Sequence, residues 1–141
     1  MNSLRTERYY PYILSVLAVG AWWRIGRPFP ADTKEFLGAA VAFAAILTGF
    51  LATAQAILMA LPSDSVMASI KSSGYIAHLI RYIREAIVGT LLFAVLNLIG
   101  FYLDTKKLPV EFEALWILFA TFSLLVFWRV VVIVERVMAH R

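Results

Sequence analysis

The sequence contains no cysteine. Disulfides, thiolate metal sites and cysteine nucleophiles are thereby excluded. Charge is also scarce: Asp, Glu, Lys and Arg make up 16% of the 141 residues, against about 25% in soluble globular proteins. From Phe36 to Pro62 there is no charged residue at all. All nine acidic residues lie in loops or at the ends of apolar runs. That placement counts against a proton-coupled pump, which wants a carboxylate inside the bilayer, but it does not exclude a passive pore. No strand-period alternation, internal repeat, Walker A motif, dinucleotide fingerprint or G-x-S-x-G is present.

What the chain has in excess is apolar surface. Hydrophobic residues make up 62%, against about 45–50% in soluble proteins. A water-soluble core of this length could not hide that much. The composition predicts an all-α integral membrane protein of one domain, with four transmembrane helices at about 9–26, 36–61, 86–103 and 114–134. MNSLRTER followed by an apolar run invites a signal-peptide reading, with Val19, Gly20 and Ala21 loosely fitting a cleavage site. Trp22 and Trp23 follow at once and Pro11 lies early in the run, so an uncleaved first span is expected. Tyr9, Tyr10 and Tyr12 at one end of it and the two tryptophans at the other resemble interfacial belts. Asp32 or Thr33 is the expected N-cap of the second helix. In YIAHLIRYIRE, residues 75–85, the polar members recur every three or four residues, which predicts an amphipathic cytoplasmic extension continuous with the third span or just before it.

Four crossings place both termini on one side. That side, with residues 63–85, holds seven basic residues: Arg5, Arg8, Lys71, Arg81, Arg84, Arg136 and Arg141. The other holds five: Arg24, Arg27, Lys34, Lys106 and Lys107. The bias predicts a multi-pass protein of a bacterial inner membrane with both termini cytoplasmic.

Within the second span, small residues recur as Gly38, Ala42, Ala45, Gly49, Ala52, Ala56 and Ala60. Such a smooth face lets another backbone approach closely, which matters because lipid supplies no hydrophobic drive between helices. The neighbour is either another helix of the same chain or a second copy. Thr48 and Gln55 lie one heptad apart beside this seam, and Thr90, Ala94, Asn97 and Asp104 echo its spacing in the third span. Asn97, Thr48 and Gln55 are polar groups in apolar surroundings, and Arg129 is a charge within LLVFWRVVVIVER. Arg129 either snorkels to the interface or pairs inside, with a helix C-terminus or with an acidic group such as Glu85.

Few residues point to chemistry. His78 and His140 fall outside the apolar core, where neither haem nor a metal site is expected. The serines near His78 lack a nucleophile constellation. His78, Arg81 and Arg84 form a cationic face suited to anionic lipid headgroups or an acidic protein surface. No cofactor and no direct nucleic-acid contact are expected.

The run AILTGFLATAQAILMALPSD, followed by a loop and the amphipathic stretch, resembles small uncharacterised four-span bacterial membrane proteins over residues 40–100. Some of these are encoded in phage-defence operons as sensors or effectors, the Kiwa membrane subunit being one type. The resemblance implies a non-enzymatic homo-oligomer working with a cytosolic partner, and it implies no catalytic residues. A small transporter or passive channel, a holin-like lesion former and an anchor for a cytosolic enzyme are the alternatives.

Overall fold

The structure, a computed structural model, describes residues 2–60, 75–103 and 108–139, with side chains described for 8–60, 77–103 and 108–136. All regular structure among them is helical: α1 (Asn2–Arg24), α2 (Thr33–Ala60), α3 (Tyr75–Tyr102) and α4 (Val110–Ala139). Residues 75–85 and the expected third span form one unbroken helix, α3. Asp32 occupies the N-cap position of α2, its carbonyl accepting the Phe36 N–H at 3.2 Å. After α1 the chain reverses through Gly26 (φ 90°) and Arg27 (φ 58°), left-handed conformations that glycine adopts without strain and that Arg27 adopts at a cost. Asp104, residues 61–74 and His140 lie outside the described residues.

Three helices are long and apolar enough to cross a membrane: α2, α3 from Ala77 and α4 to Arg136. This is the constitution of a multi-pass membrane protein. The first helix is not among them. Its opening turns carry Arg5, Glu7 and Arg8, and its aromatic and serine residues dilute the aliphatic run that follows.

α3 packs between α2 and α4, and α1 packs against α4. Each neighbouring pair is antiparallel. Thr48 meets Thr90, Asn97 meets Trp116, Glu85 meets Arg129 and Tyr10 meets Leu125. The start of α1, the end of α2, the start of α3 and the end of α4 therefore share one end of the bundle. One apolar cluster fills that half, with Leu51, Ile83, Val126 and Val130 at its centre. A second, of Leu37, Leu108 and Phe112, closes the other end.

The distribution of polarity is that of a protein dissolved in lipid. Ile46 and Phe50 of α2, Leu91 and Ile99 of α3, and Leu124 and Trp128 of α4 point outward. Inside lie Thr90, Asn97, Ser123 and Arg129. In a hydrocarbon solvent, hydrogen-bonding groups gain by facing one another.

Two glycines of α3 set how closely α4 approaches. A Cβ at Gly100 would lie 2.4 Å from Cζ of Phe112 and 2.9 Å from Cδ1 of Leu37. One at Gly89 would lie 2.9 Å from Cε1 of Phe122. Each glycine thus admits a phenylalanine ring. Gly49 of α2, by contrast, has nothing within 4 Å of that position. Gly100→Ala should destabilise the fold by about 1–3 kcal/mol through overpacking, whereas Gly49→Ala should stay within about 0.5 kcal/mol of the parent. Denaturant unfolding in detergent, followed by circular dichroism, measures both.

Candidate functional site

The antiparallel pairing brings the interior polar residues level with one another. At mid-bundle, Thr48 donates to the Thr90 hydroxyl at 2.8 Å, and Thr90 donates to the Ala86 carbonyl at 3.0 Å. Ser123 donates to the carbonyl of Gly89 at 3.2 Å, where the glycine leaves that backbone accessible. Nearer the far end, Trp116 donates its indole N–H to Asn97 Oδ1 at 2.8 Å, and Asn97 donates to the Phe93 carbonyl at 2.7 Å. The Trp116 ring lies within 6 Å of the rings of Phe29, Phe36 and Phe93. These contacts satisfy buried polar groups and join helices.

The charged site lies at the end where the helices begin and finish. Arg129 is 3% exposed. Its guanidinium Nη2 donates to Glu85 Oε2 at 2.9 Å and its centre stacks over the Tyr82 ring at 4.2 Å. Arg129 therefore does not extend to the interface as a snorkelling side chain would. Tyr82 and Glu85 are one turn apart on α3, so both face α4. The other oxygen of the same carboxylate accepts a hydrogen bond from Tyr12 of α1 at 2.5 Å. Tyr12 is held there by its ring contact with Phe122, the centroids 5.0 Å apart. One carboxylate thus ties α1, α3 and α4 together.

Over this node opens a cleft of about 930 Å³ between α1 and α3. His78, Arg81 and Arg84, expected as a cationic face, are exposed at its rim. Arg8 of α1, which the sequence does not single out as a site residue, joins them. Tyr12 and Glu85 form the back of the cleft, and Val88, Leu92 and Phe122 its apolar part.

Among the described residues, the small-residue stripe is largely uncovered. Ala42, Ala45, Gly49, Ala52 and Ala56 are all exposed, and Gly38 is half-buried, its Cβ position 4.0 Å from Phe101. α2 packs on α3 through the opposite face, with Leu37, Ala44, Leu47 and Leu51 buried. Thr48 belongs to that packed face. Gln55 does not: it is half-buried and its amide reaches the Met59 sulfur at 3.9 Å, a weak acceptor. Tyr12, Tyr82, Trp116 and Ser123 are the contributors that composition and spacing do not mark. Tyr82 alone carries a signal, standing one turn before an acidic residue on a helix face.

Glu85→Gln takes the carboxylate from beside a buried guanidinium and should cost about 3 kcal/mol, the low end for breaking a buried pair because Glu85 is partly open to the cleft. Tyr12→Phe, which removes one hydrogen bond, should cost about 1 kcal/mol. In a double-mutant cycle in detergent the two losses should be non-additive, since both act on one carboxylate. Comparison with protein-family models, with curated proteins and with solved structures gives no match to this chain.

Proposed function

We propose that the chain is a non-enzymatic, oligomeric subunit of a bacterial inner membrane, a sensor or effector that works with a cytosolic partner in defence or stress response, pore formation being one such effector act. The observation that carries this reading is the Glu85 node. An ionised pair inside a membrane bundle is costly to keep and marks a functional element by default. This one joins three helices beneath an open basic cleft, so that a change at the cleft bears directly on how α1 is held.

Two further observations support the architecture. The outer face of α1 is apolar, with Ile13, Val16 and Leu17 exposed, which suits a fourth membrane helix lying antiparallel on α4. On α2, the exposed small-residue stripe suits the close approach of a second copy. Lone helices gain nothing in lipid from alanine and glycine on a free face, whereas paired ones gain backbone contact and van der Waals packing. In an oligomer built on this stripe, Thr53 and Gln55 of adjoining copies come near one another. That favours a passive channel as the second reading.

A cysteine placed at Gly49 or at Ala52 of this cysteine-free chain should crosslink copies in the membrane, and Gly49→Leu should abolish the Ala52→Cys crosslink while leaving unfolding in detergent unchanged. A monomeric mass in nanodiscs, with no crosslinks, would sink the oligomeric reading. Gln55→Leu separates the two readings: a channel changes its conductance in planar bilayers with assembly intact, and a packing residue alters neither.

A reporter fused at Arg141 should read cytoplasmic and one inserted near Lys106 periplasmic. The reverse result at either position overturns the four-span orientation.

A further inference from the structure

The face of α3 that fronts the cleft changes character along its length. It begins with His78, Arg81 and Arg84, passes Glu85, and continues as Val88 and Leu92. From His78 to Leu92 the helix rises about 21 Å. Half the hydrocarbon thickness of a bilayer is about 15 Å, so this one face runs from headgroup depth well into the acyl region. An amphipathic helix lying on a membrane separates its polar and apolar residues around the axis. Here they are separated along the axis, in one concave surface.

The opposite wall has matching chemistry. Arg8, whose guanidinium lies 5.7 Å from the Tyr9 ring centre, faces the basic end. Phe122 of α4 lies at the apolar end beside Gly89. The one carboxylate in the wall, Glu85, already accepts from Arg129 and Tyr12. Its charge is therefore committed inward, and the cationic rim is not neutralised by it.

We propose that the α1–α3 cleft binds an anionic phospholipid of the surrounding leaflet, its phosphate against Arg8, Arg81 and Arg84 and one acyl chain over Val88, Leu92 and Phe122. The basic rim alone would suit an acidic peptide equally well. The apolar continuation decides for a lipid, because a peptide docked from water has no use for a floor at acyl depth. Arginine suits the role, since its planar fork pairs with phosphate oxygens two at a time. The bound headgroup lies against the wall that contains Tyr12 and Glu85, so lipid identity is the input that this end of the bundle reads. The proposal rests on α1 being a membrane helix, which makes the cleft open to the leaflet.

The test uses the full chain, delipidated in neutral detergent and titrated with phosphatidylglycerol or phosphatidylcholine of matched chains under native mass spectrometry. Phosphatidylglycerol should bind in preference, and Arg81→Gln with Arg84→Gln should lower its affinity by about thirtyfold, at about 1 kcal/mol per basic residue. Arg24→Gln, at the other end of the bundle, should change nothing. Leu92→Trp should weaken long-chain phosphatidylglycerol while sparing a short-chain form that keeps the same headgroup. Neither inorganic phosphate nor an acidic hexapeptide at equal concentration should displace the lipid. Both arginines are exposed, and the variants' circular dichroism would verify that folding is intact. Equal binding of the two lipids, or a preference unchanged by the double substitution, overturns the proposal. Displacement by the peptide reassigns the rim to a protein partner. Val16→Cys in sealed vesicles keeps the underlying assumption separate. Labelling of it by membrane-impermeant maleimide from either side removes α1 from the membrane and the proposal with it. Protection without lipid preference removes the lipid proposal alone.

Discussion

The carboxylate of Glu85 has two oxygens and each has a different task. One meets the guanidinium of Arg129, which is buried too deeply to be solvated from the end of the bundle. The other accepts the phenol of Tyr12. Without the first contact, α4 would carry a charge in surroundings that do not tolerate one. Without the second, α1 would rest on α4 through ring packing and the Tyr10 contact with the Leu125 carbonyl, at 3.3 Å. The cost of desolvating the ion pair is offset only where the geometry is good and the remaining lone pairs are used. The Tyr12 hydrogen bond uses the second oxygen of Glu85, and the Tyr82 ring covers the guanidinium of Arg129. The Tyr12 attachment of the first helix and the pairing of Arg129 both depend on this one group.

Elsewhere the bundle is joined by neutral polar contacts at graded depth: Thr48 with Thr90, Ser123 with the Gly89 backbone, Asn97 with Trp116. Each replaces a bond that water would otherwise make, and each fixes the rotation of one helix against its neighbour. By double-mutant cycles in a folded membrane protein such contacts are individually modest, about 0.6 kcal/mol on average. Their value here is in register. A helix slid by one turn would lose its pairing at several levels at once.

The helices themselves are legible in the sequence because long apolar runs alternate with prolines and charged loops. α2 (Thr33–Ala60) begins before its expected span and α4 (Val110–Ala139) extends beyond its own at both ends, since turns of mixed polarity continue a helix that the apolar run has nucleated. The sequence also brings Arg129 and Glu85 to similar depth, because antiparallel neighbours pair residues equidistant from a turn. What it leaves open is rotation. Tyr12 faces Glu85 because α1 is turned by its packing on Phe122 and Leu125, contacts more than a hundred residues away in the chain. Nothing local to YYPYILS marks that direction. The alanine-glycine stripe is the converse case. Its spacing declares that something can come close, but the identity of the neighbour depends on which face of α2 the larger Leu37, Leu47 and Leu51 claim for the interior. They claim the other one.

The two rings that enter α3 at Gly89 and Gly100 have a mechanical consequence. They are three turns apart and come from the same helix, α4, so they act as two dowels in one plank. Sliding α3 along α4, or rolling one over the other, would require both rings to withdraw together. The α3–α4 pair is thereby a rigid frame. α2 is fastened to one flank of it by aliphatic packing and the threonine pair, and α1 meets the node through the Tyr12 phenol. Of these attachments, the Tyr12 hydrogen bond is the one that borders the cleft.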